Sequence, residues 1–240
     1  MASGRGVNRD NIKHFSTPDV EKSYRRLNEC SAGIDGLTKM RAKPAATLLL
    51  HEIAALFSYI YAFGTPITDW NMSIVTSIRK KCLDLWNMDS YCAIDCLSLV
   101  RQWFALTLLP EIEELCARTF LENQQSFVSG GRCYAAILAL YAIIECYRLR
   151  NVRICVFVDV CKAFLRANRD ILLRKLSAFG ASDALVRAVW VLYYEAQGTV
   201  RGAAGYGRPF PLVVGTREGG VERPLLYTVS VCDCVTLALA

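Results

Sequence analysis

The stretch from Asn151 to Asp170 holds two residues whose types and spacing could do chemistry. Asp159 ends a largely apolar, β-branched run, Val152 to Val158, and Phe164 follows five residues later. A buried strand that stops at a carboxylate is a common rigid support for a metal-binding acid. The same aspartate could instead cap the next helix, because short polar side chains favour that position. The local pattern leaves both interpretations open.

A second candidate lies at the end of another predicted strand. Pro66 is followed by an extended run, Ile74 to Ile78, that ends in Arg79-Lys80-Lys81. Three successive cations at a strand end usually form a solvated tip. They could equally meet phosphates, because a compact lysine charge can sit against a polyphosphate.

The elements that must position these residues are mostly helices. Ser16 and Ser182 predict helix starts, and Gly180 predicts a helix end. Residues 198–214 predict a hairpin, followed by a glycine-rich loop, Gly215 to Gly220. The predicted helices are Pro18–Asn28, Pro44–Ala62, Leu97–Leu121 with a restart at Pro110, Cys133–Tyr147 as a buried core helix, Arg169–Phe179, Asp183–Glu195 and Pro224–Ala240.

Composition is that of a globular protein. The chain has 240 residues, of which 53% are hydrophobic and 21% charged, so disorder is excluded. The net charge of +6 permits an anionic partner such as nucleic acid without demanding one. The first residues, MASGRGVNRDN, lack the apolar region of a secretory signal, and no apolar run is long and clean enough to predict a membrane span.

Cysteine usage points to an intracellular protein, in cytoplasm or nucleus. The eleven cysteines are odd in number, and several lie in apolar runs, which predicts free thiols and no disulfide-linked partner. A structural zinc site is not expected, because the spacings at Cys92 and Cys232 differ from Cys-x-x-Cys and the only histidines are His14 and His51.

Short blocks follow one another along the chain in an order that is typical of one family. They are Ser31–Thr38 with its Gly33-Ile34-Asp35-Gly36 core, Pro66 to Lys81 with Trp70, Ser90–Ile94, Asn123–Gly130, Phe157–Phe164 and Gly215–Tyr227. Together they resemble the reverse transcriptase domain of non-LTR (LINE-type) retrotransposons, which is related to group II intron reverse transcriptases. Phe157–Phe164 is similar to that family's motif A, and Gly215–Tyr227 to its motif B.

The resemblance implies an α+β fold, helix-rich with a small antiparallel sheet. It implies right-hand polymerase fingers and an incomplete palm. Residues 1–30 would be a polar arm, 31–132 a fingers-like region and 133–240 a partial palm that carries motifs A and B only.

The resemblance also implies a metal site for nucleotidyl transfer. Asp159 would be the catalytic Mg²⁺ ligand of motif A, and the backbone carbonyl of Val160 a second oxygen ligand. The partners would be an RNA or DNA template-primer and deoxynucleotides.

A nucleotide site is implied by the remaining matches. Phe164 would be the aromatic steric gate against a 2′-hydroxyl, with a plain core residue as the alternative. Lys80 or Lys81 would neutralise the triphosphate, unless both are simply surface. Arg217 and Gly219 would line the nucleotide pocket, where glycine lets the backbone approach closely.

Departures from the family pattern are as informative as the matches. The sequence has no Asp-Asp dipeptide, the signature of motif C, and it ends on the helix after motif B. One carboxylate cannot hold two divalent cations. Six expected motif positions hold another residue, and several of these are charge or size changes where phosphate and nucleotide would bind: Cys82, Cys92, Ala93, Leu165, Glu218 and Arg223. The substitutions to cysteine and leucine look like drift in a decaying element copy.

We therefore expect a truncated reverse transcriptase domain without catalysis by itself. The alternatives are a gene-model fragment of a full polymerase, a non-enzymatic nucleic-acid-binding remnant, and an inert pseudogene product. An unclosed palm sheet predicts an exposed strand edge and apolar patch around Val152–Val158 and Leu225–Leu239.

Overall fold

The architecture is α+β and rich in helix. The structure, a computed structural model, describes residues 13–80, 86–87, 90–119, 124–127, 133–149, 157–202 and 205–232. Its α-helices are α1 (Thr17–Arg26), α2 (Lys39–Leu48), α3 (Leu50–Phe63), α4 (Leu99–Thr119), α5 (Cys133–Leu149), α6 (Arg169–Ala178), α7 (Asp183–Val191) and α8 (Arg223–Val231). Its strands are β1 (Met72–Arg79), β2 (Tyr91–Cys96), β3 (Gln197–Gly202), β4 (Gly205–Tyr206) and β5 (Phe210–Pro211).

The chain forms two compact units. The first comprises Met1–Leu108, Ser182–Val213 and Gly219–Val221, and the second Leu109–Ala181, Val214–Glu218 and Glu222–Ala240. The division at residues 30 and 132 that follows from the family likeness stays a prediction.

The sheet of the first unit is mixed, so the predicted purely antiparallel sheet is wrong. Its strand order is β2-β1-β3-β4, and β5 also pairs with β3. β1 and β2 are antiparallel, with Ile74 opposite Cys96. β1 and β3 are parallel, with Ile74 opposite Thr199. A parallel pair needs a long crossover, and the chain between β1 and β3 is long enough to supply one. The hairpin predicted at residues 198–214 is confirmed by the antiparallel pairing of β3 with β4 and β5.

Aromatic rings form the core of the first unit. The ring of Phe57 is fully buried, and its centroid lies 5.2 Å from that of Phe104, 5.8 Å from that of Trp103 and 6.2 Å from that of Trp70. Edge-to-face arrangements of this kind add to the stabilisation that burial of the rings supplies. Helix α3, which carries Phe57, also packs on α1 and α7.

Capping residues set helix starts as predicted. The Ser16 hydroxyl accepts the N–H of Asp19 at 3.3 Å, and the Asp19 carboxylate accepts the N–H of Ser16 at 3.2 Å, a reciprocal box that begins α1. The Ser182 hydroxyl accepts the N–H of Leu185 at 3.1 Å at the start of α7. Both predicted starts are confirmed.

The predicted turn at Ser31–Thr38 is confirmed, and it is tied to the start of α4. Asp35 accepts the N–H of Leu37 at 3.0 Å with one carboxylate oxygen and the N–H of Leu99 at 3.2 Å with the other. A Cβ atom on Gly33 would lie 2.6 Å from the carbonyl carbon of Leu97. The turn and the chain before α4 therefore touch backbone to backbone.

Two predicted helix boundaries at prolines are wrong. α2 begins at Lys39 because the Thr38 hydroxyl accepts the N–H of Arg41 at 3.4 Å, and Pro44 lies inside it. α4 runs through Pro110 without a restart. An interior proline costs about 3 kcal/mol, and burial of apolar side chains on both sides of Pro110 offsets that cost: Phe104, Leu108 and Ile112.

Within the described residues, no single helix is both long and apolar enough to cross a membrane. α2 and α3 meet that test only as a pair, and they are bent by 95° at the break between them.

Helix α5 has the predicted bounds within two residues, yet it is not the buried helix that its composition predicts. Ile137, Leu138 and Tyr141 are exposed at 59%, 65% and 63%. Composition alone cannot distinguish a buried core helix from a helix whose apolar side chains are exposed, because the sequence of either one is a continuous apolar run.

In the second unit, α6 and α8 pack on each other. Leu176, Leu226 and Val229 are fully buried, and the Lys175 ammonium donates to the carbonyl of Ser230 at 2.7 Å. The predicted exposed patch is therefore wrong for the beginning of α8. Residues 233–239, where the rest of that patch was predicted, lie outside the described residues.

Replacing Gly33→Ala is expected to lower the free energy of unfolding by about 1–3 kcal/mol, because the new Cβ would overlap backbone atoms of Leu97 and Ser98 that cannot move aside as a side chain can. Urea unfolding measures the change. The control is Gly202→Ala, whose Cβ would lie 3.8 Å from the nearest atom and should change stability by less than about 0.5 kcal/mol. Equal effects of the two substitutions would contradict the predicted overlap.

Burial raises the pKa of the Cys116 thiol to about 12, with smaller contributions from Cys232 and Glu113. Because the thiolate is the reactive form, iodoacetamide at neutral pH should leave Cys116 unlabelled in the native protein and label it in urea. Exposed cysteines serve as internal controls and should react without urea: Cys92, Cys133, Cys146 and Cys161. Mass spectrometry of peptides gives the readout, and equal native labelling of Cys116 would refute its placement.

The same shift predicts a pH dependence of stability. The unfolded Cys116 thiol ionises near its ordinary value of 9.0 and the folded one near 12. Its contribution is thus complete below pH 9 and is lost as the pH rises toward 12.

Candidate functional site

The motif A stretch is exposed where the structure describes it. Phe157 and Val158 lie in irregular backbone at 77% and 84% exposure, so they do not end a buried strand. No described strand pairs with them, which removes the support that would bury their side chains. Their exposure agrees with the apolar patch predicted here, and residues 151–156 lie outside the described residues.

Asp159 and Val160 do not make a divalent-metal site by themselves. Both residues are exposed, and they supply one carboxylate and one backbone carbonyl. No group of three or more His, Cys, Asp or Glu side chains that could hold a metal ion occurs within the described ranges. Since Mg²⁺ demands near-octahedral oxygen coordination, this donor set does not fit a pair of such ions.

A backbone junction in the second unit joins the stretch that resembles motif A, with the residues just after it, to the stretch that resembles motif B. The carbonyl of Phe164 accepts the N–H of Thr216 at 2.9 Å and its hydroxyl at 3.3 Å. The carbonyl of Ala167 accepts the N–H of Gly215 at 2.8 Å. Gly215 has φ +81°, and a Cβ there would lie 2.6 Å from the carbonyl oxygen of Leu165. Only glycine permits this approach.

Arg169 reinforces the junction. Its Nε donates to the carbonyl of Gly215 at 2.8 Å, and its Nη2 to the carbonyl of Val214 at 3.2 Å. Arg169, the first residue of α6, thereby satisfies carbonyl groups of a loop that lies far away in the sequence.

Phe164 is half-buried in an aromatic and cationic cluster. Its ring centroid lies 4.6 Å from that of Tyr227 and 6.2 Å from that of Phe127. The guanidinium carbon of Arg223 lies over the ring, 4.0 Å from its centroid. A cation at this distance is attracted by the electron-rich face of the ring. The expected steric gate is therefore in contact with protein groups.

Arg223 also forms an ion pair within the motif B segment. Its Nη2 lies 3.2 Å from a carboxylate oxygen of Glu218, and the side chains are 22% and 14% exposed. Partial burial weakens solvent screening, so the pair is worth more than an ion pair on the open surface. Both residues depart from the motif B pattern, and their charges complement each other.

Arg217 is enclosed by protein at 2% exposure. Its guanidinium does not reach solvent in this arrangement, and the predicted contact with a nucleotide stays a prediction.

Lys80 and Gly219 belong to the first unit. Lys80 is exposed directly after β1, and its N–H donates to the carbonyl of Ser90 at 2.8 Å. Gly219, at φ +102°, contacts β2 so closely that a Cβ would collide with the carbonyl oxygen of Asp95. Lys81 lies outside the described residues.

A cavity of about 520 Å³ opens beside α1 and α2 in the first unit. None of the predicted site residues lines it. Its wall includes Lys39, whose ammonium donates to the carbonyls of Arg25 and Leu27 and is thus engaged within the protein.

Sequence reasoning missed the partners of Phe164. Arg223 and Glu218 were identified only as departures from motif B. The signal that could have paired them is their opposite charge, five residues apart, in one loop. Phe127 and Tyr227 gave no signal beyond their aromatic type, because their approach depends on the fold.

The chain matches no protein-family model and no curated protein.

Proposed function

We propose that the chain is part of a reverse transcriptase domain of a retrotransposon-type element, comprising fingers and part of a palm, and that these residues do not catalyse by themselves. The ordered sequence blocks motivate the proposal. Within a longer protein that supplies the missing carboxylates, the domain would take part in RNA-directed DNA synthesis on a template-primer.

The observation that carries the proposal concerns three glycines. A Cβ added at Gly33, Gly215 or Gly219 would lie under 3.0 Å from backbone atoms of another segment, and no other described glycine has this property. All three occupy glycine positions in the blocks that resemble the family. The described glycines that leave no room for a side chain against backbone are therefore all glycines of the family pattern. Gly36, another glycine of that pattern, has open space at its Cβ position and lies at φ +67°.

The contact between motifs A and B is a second support. Phe164 and Thr216 are 52 residues apart in the sequence and are joined through backbone and side chain. A polymerase needs these two segments side by side, because one carries the acid and the gate and the other lines the nucleotide.

A non-enzymatic nucleic-acid-binding remnant is the second candidate, and one specific contact favours it. The Arg223 guanidinium lies on the ring of Phe164. A deoxyribose stacked on that face would have to displace it and disturb the Arg223–Glu218 pair. The arrangement therefore suits retention of binding without nucleotide turnover.

The polymerase proposal predicts two different outcomes in primer extension. The 240-residue chain should give no product on a primed RNA or DNA template with Mg²⁺ and deoxynucleotides. A longer protein, encoded through the DNA beyond codon 240 and carrying a [FY]-x-Asp-Asp hairpin, should extend the primer. In that protein Asp159→Asn should slow extension by about a thousandfold, ~4 kcal/mol.

The matched control is Asp170→Asn, which removes another exposed carboxylate nearby and should leave extension unchanged. Extension by the 240-residue chain alone would overturn the proposed inactivity. Absence of an Asp-Asp codon pair downstream, combined with no binding of a primer-template, would overturn the family assignment and favour an inert product.

The Glu218–Arg223 pair predicts coupled effects on stability. Glu218→Gln and Arg223→Ser should each lower the free energy of unfolding by about 1 kcal/mol, because each leaves a half-buried charge without its partner. The double variant should lose less than the sum by about 0.5–1 kcal/mol. Urea unfolding of all four proteins completes the cycle.

A control cycle uses Glu114→Gln and Arg118→Gln, an ion pair whose side chains are 70% and 69% exposed. Its coupling should stay under about 0.5 kcal/mol. Coupling no larger at Glu218–Arg223 than at this surface pair would favour independent drift at the two positions.

A further inference from the structure

A cationic and aromatic surface lies at one edge of the sheet in the first unit. The strand order puts β4 and β5 beyond β3, on the side away from β1. Four side chains that the proposed function does not use project from this edge: Arg201, Tyr206, Arg208 and Phe210, here termed the hairpin surface. No Asp or Glu occurs between Ala196 and Arg217.

The arginines of the hairpin surface are not engaged by the rest of the described protein. Arg201 and Arg208 are exposed, and their guanidinium groups have neither a hydrogen bond nor an ion pair to any described residue. By contrast, other arginines are paired with acids, as Arg25 is with Glu21 at 2.5 Å. The hairpin surface therefore presents uncompensated positive charge.

An exposed aromatic ring accompanies the charge. Arg201 and Tyr206 are directly opposite each other in the β3–β4 register. Directly opposed residues project from the same face with Cβ atoms about 5 Å apart. Both residues are exposed, Tyr206 at 58%, so a cationic and an aromatic side chain leave neighbouring positions on the same face. Phe210, 37% exposed, rests partly against Gly198 and adds apolar area.

The backbone of this edge is poorly suited to pairing with a strand of another protein. Pro209 and Pro211 have no N–H to donate. β4 and β5 have only two residues each. Prolines and short strands are features that block edge-to-edge addition. Recognition at this edge must therefore come from side chains.

We propose that the hairpin surface binds single-stranded nucleic acid. The ligand combines regularly spaced negative charges with unpaired aromatic faces. Arg201 and Arg208 contact phosphates, and Tyr206 stacks on a base, as in other sites that follow a single strand without reading its sequence. An acidic peptide would satisfy the arginines and leave the tyrosine ring without a planar partner. This inference deepens the second candidate function, nucleic-acid binding without catalysis, by naming the surface and the single-stranded form of the ligand. It requires neither nucleotides nor metal nor a primer.

The test measures fluorescence anisotropy of a labelled oligodeoxythymidylate with the full chain in EDTA, over a series of salt concentrations. The double variant Arg201→Gln/Arg208→Gln should bind about tenfold more weakly or worse. The slope of log affinity against log salt should fall in magnitude by about 1.4, since each lost phosphate contact removes about 0.7 for a single strand. Tyr206→Leu should weaken binding about tenfold with an unchanged slope.

The matched control is Arg41→Gln/Arg174→Gln, which removes the same charge at exposed positions elsewhere and should change affinity by less than about threefold. All variants must keep the wild-type circular dichroism and melting temperature, which exposed substitutions allow.

Several results would overturn the inference. The first is no binding of the oligonucleotide by the wild-type chain at low salt, and the second is an equal loss of affinity in the control variant. The third is an unchanged affinity of Tyr206→Leu for the oligonucleotide, combined with a loss of affinity of Arg201→Gln/Arg208→Gln for a polyglutamate peptide that equals its loss for the oligonucleotide. Because the assay contains no primer, its failure leaves the extension experiment untouched, and the reverse also holds.

Discussion

Direct contact between backbones is the constraint on which both units depend. At Gly33, Gly215 and Gly219 the chain passes another segment so closely that no side chain can intervene. Such contacts fix the separation of two segments more firmly than side-chain packing does, since backbone atoms cannot adopt another rotamer. One of them binds the turn at Asp35 to the start of α4, and another holds the loop after residue 213 against the motif A segment.

An ion pair and a cation–π contact surround Phe164. A loop fixed by backbone hydrogen bonds brings Glu218 within reach of Arg223, and Arg223 in turn covers the aromatic ring. Within the described residues, the donors at Asp159 do not fit a pair of Mg²⁺ ions. Arg223 covers one face of the Phe164 ring, so that face is in contact with protein.

Local chemistry was readable from the sequence, and long-range pairing was not. Ser16 and Ser182 predict helix starts correctly, because a capping hydrogen bond joins residues only three positions apart. The parallel match of Ile74 with Thr199 joins distant segments, and no local pattern encodes it. The predicted helix restart at Pro110 is wrong, because the free-energy cost of a proline inside α4 is outweighed by burial of neighbouring side chains such as Leu108. Of the candidate site, residue types were found and contacts were not: Phe164 was identified, but not the guanidinium of Arg223 on its ring.

The Glu218–Arg223 pair has a consequence for the history of the chain. In a half-buried setting, either charge alone is worse than both or neither. Two positions related in this way constrain each other, because a change at one of them leaves the other charge half-buried without its partner. The pair of charges is therefore hard to remove by single substitutions, and easier to remove by a change at both positions together.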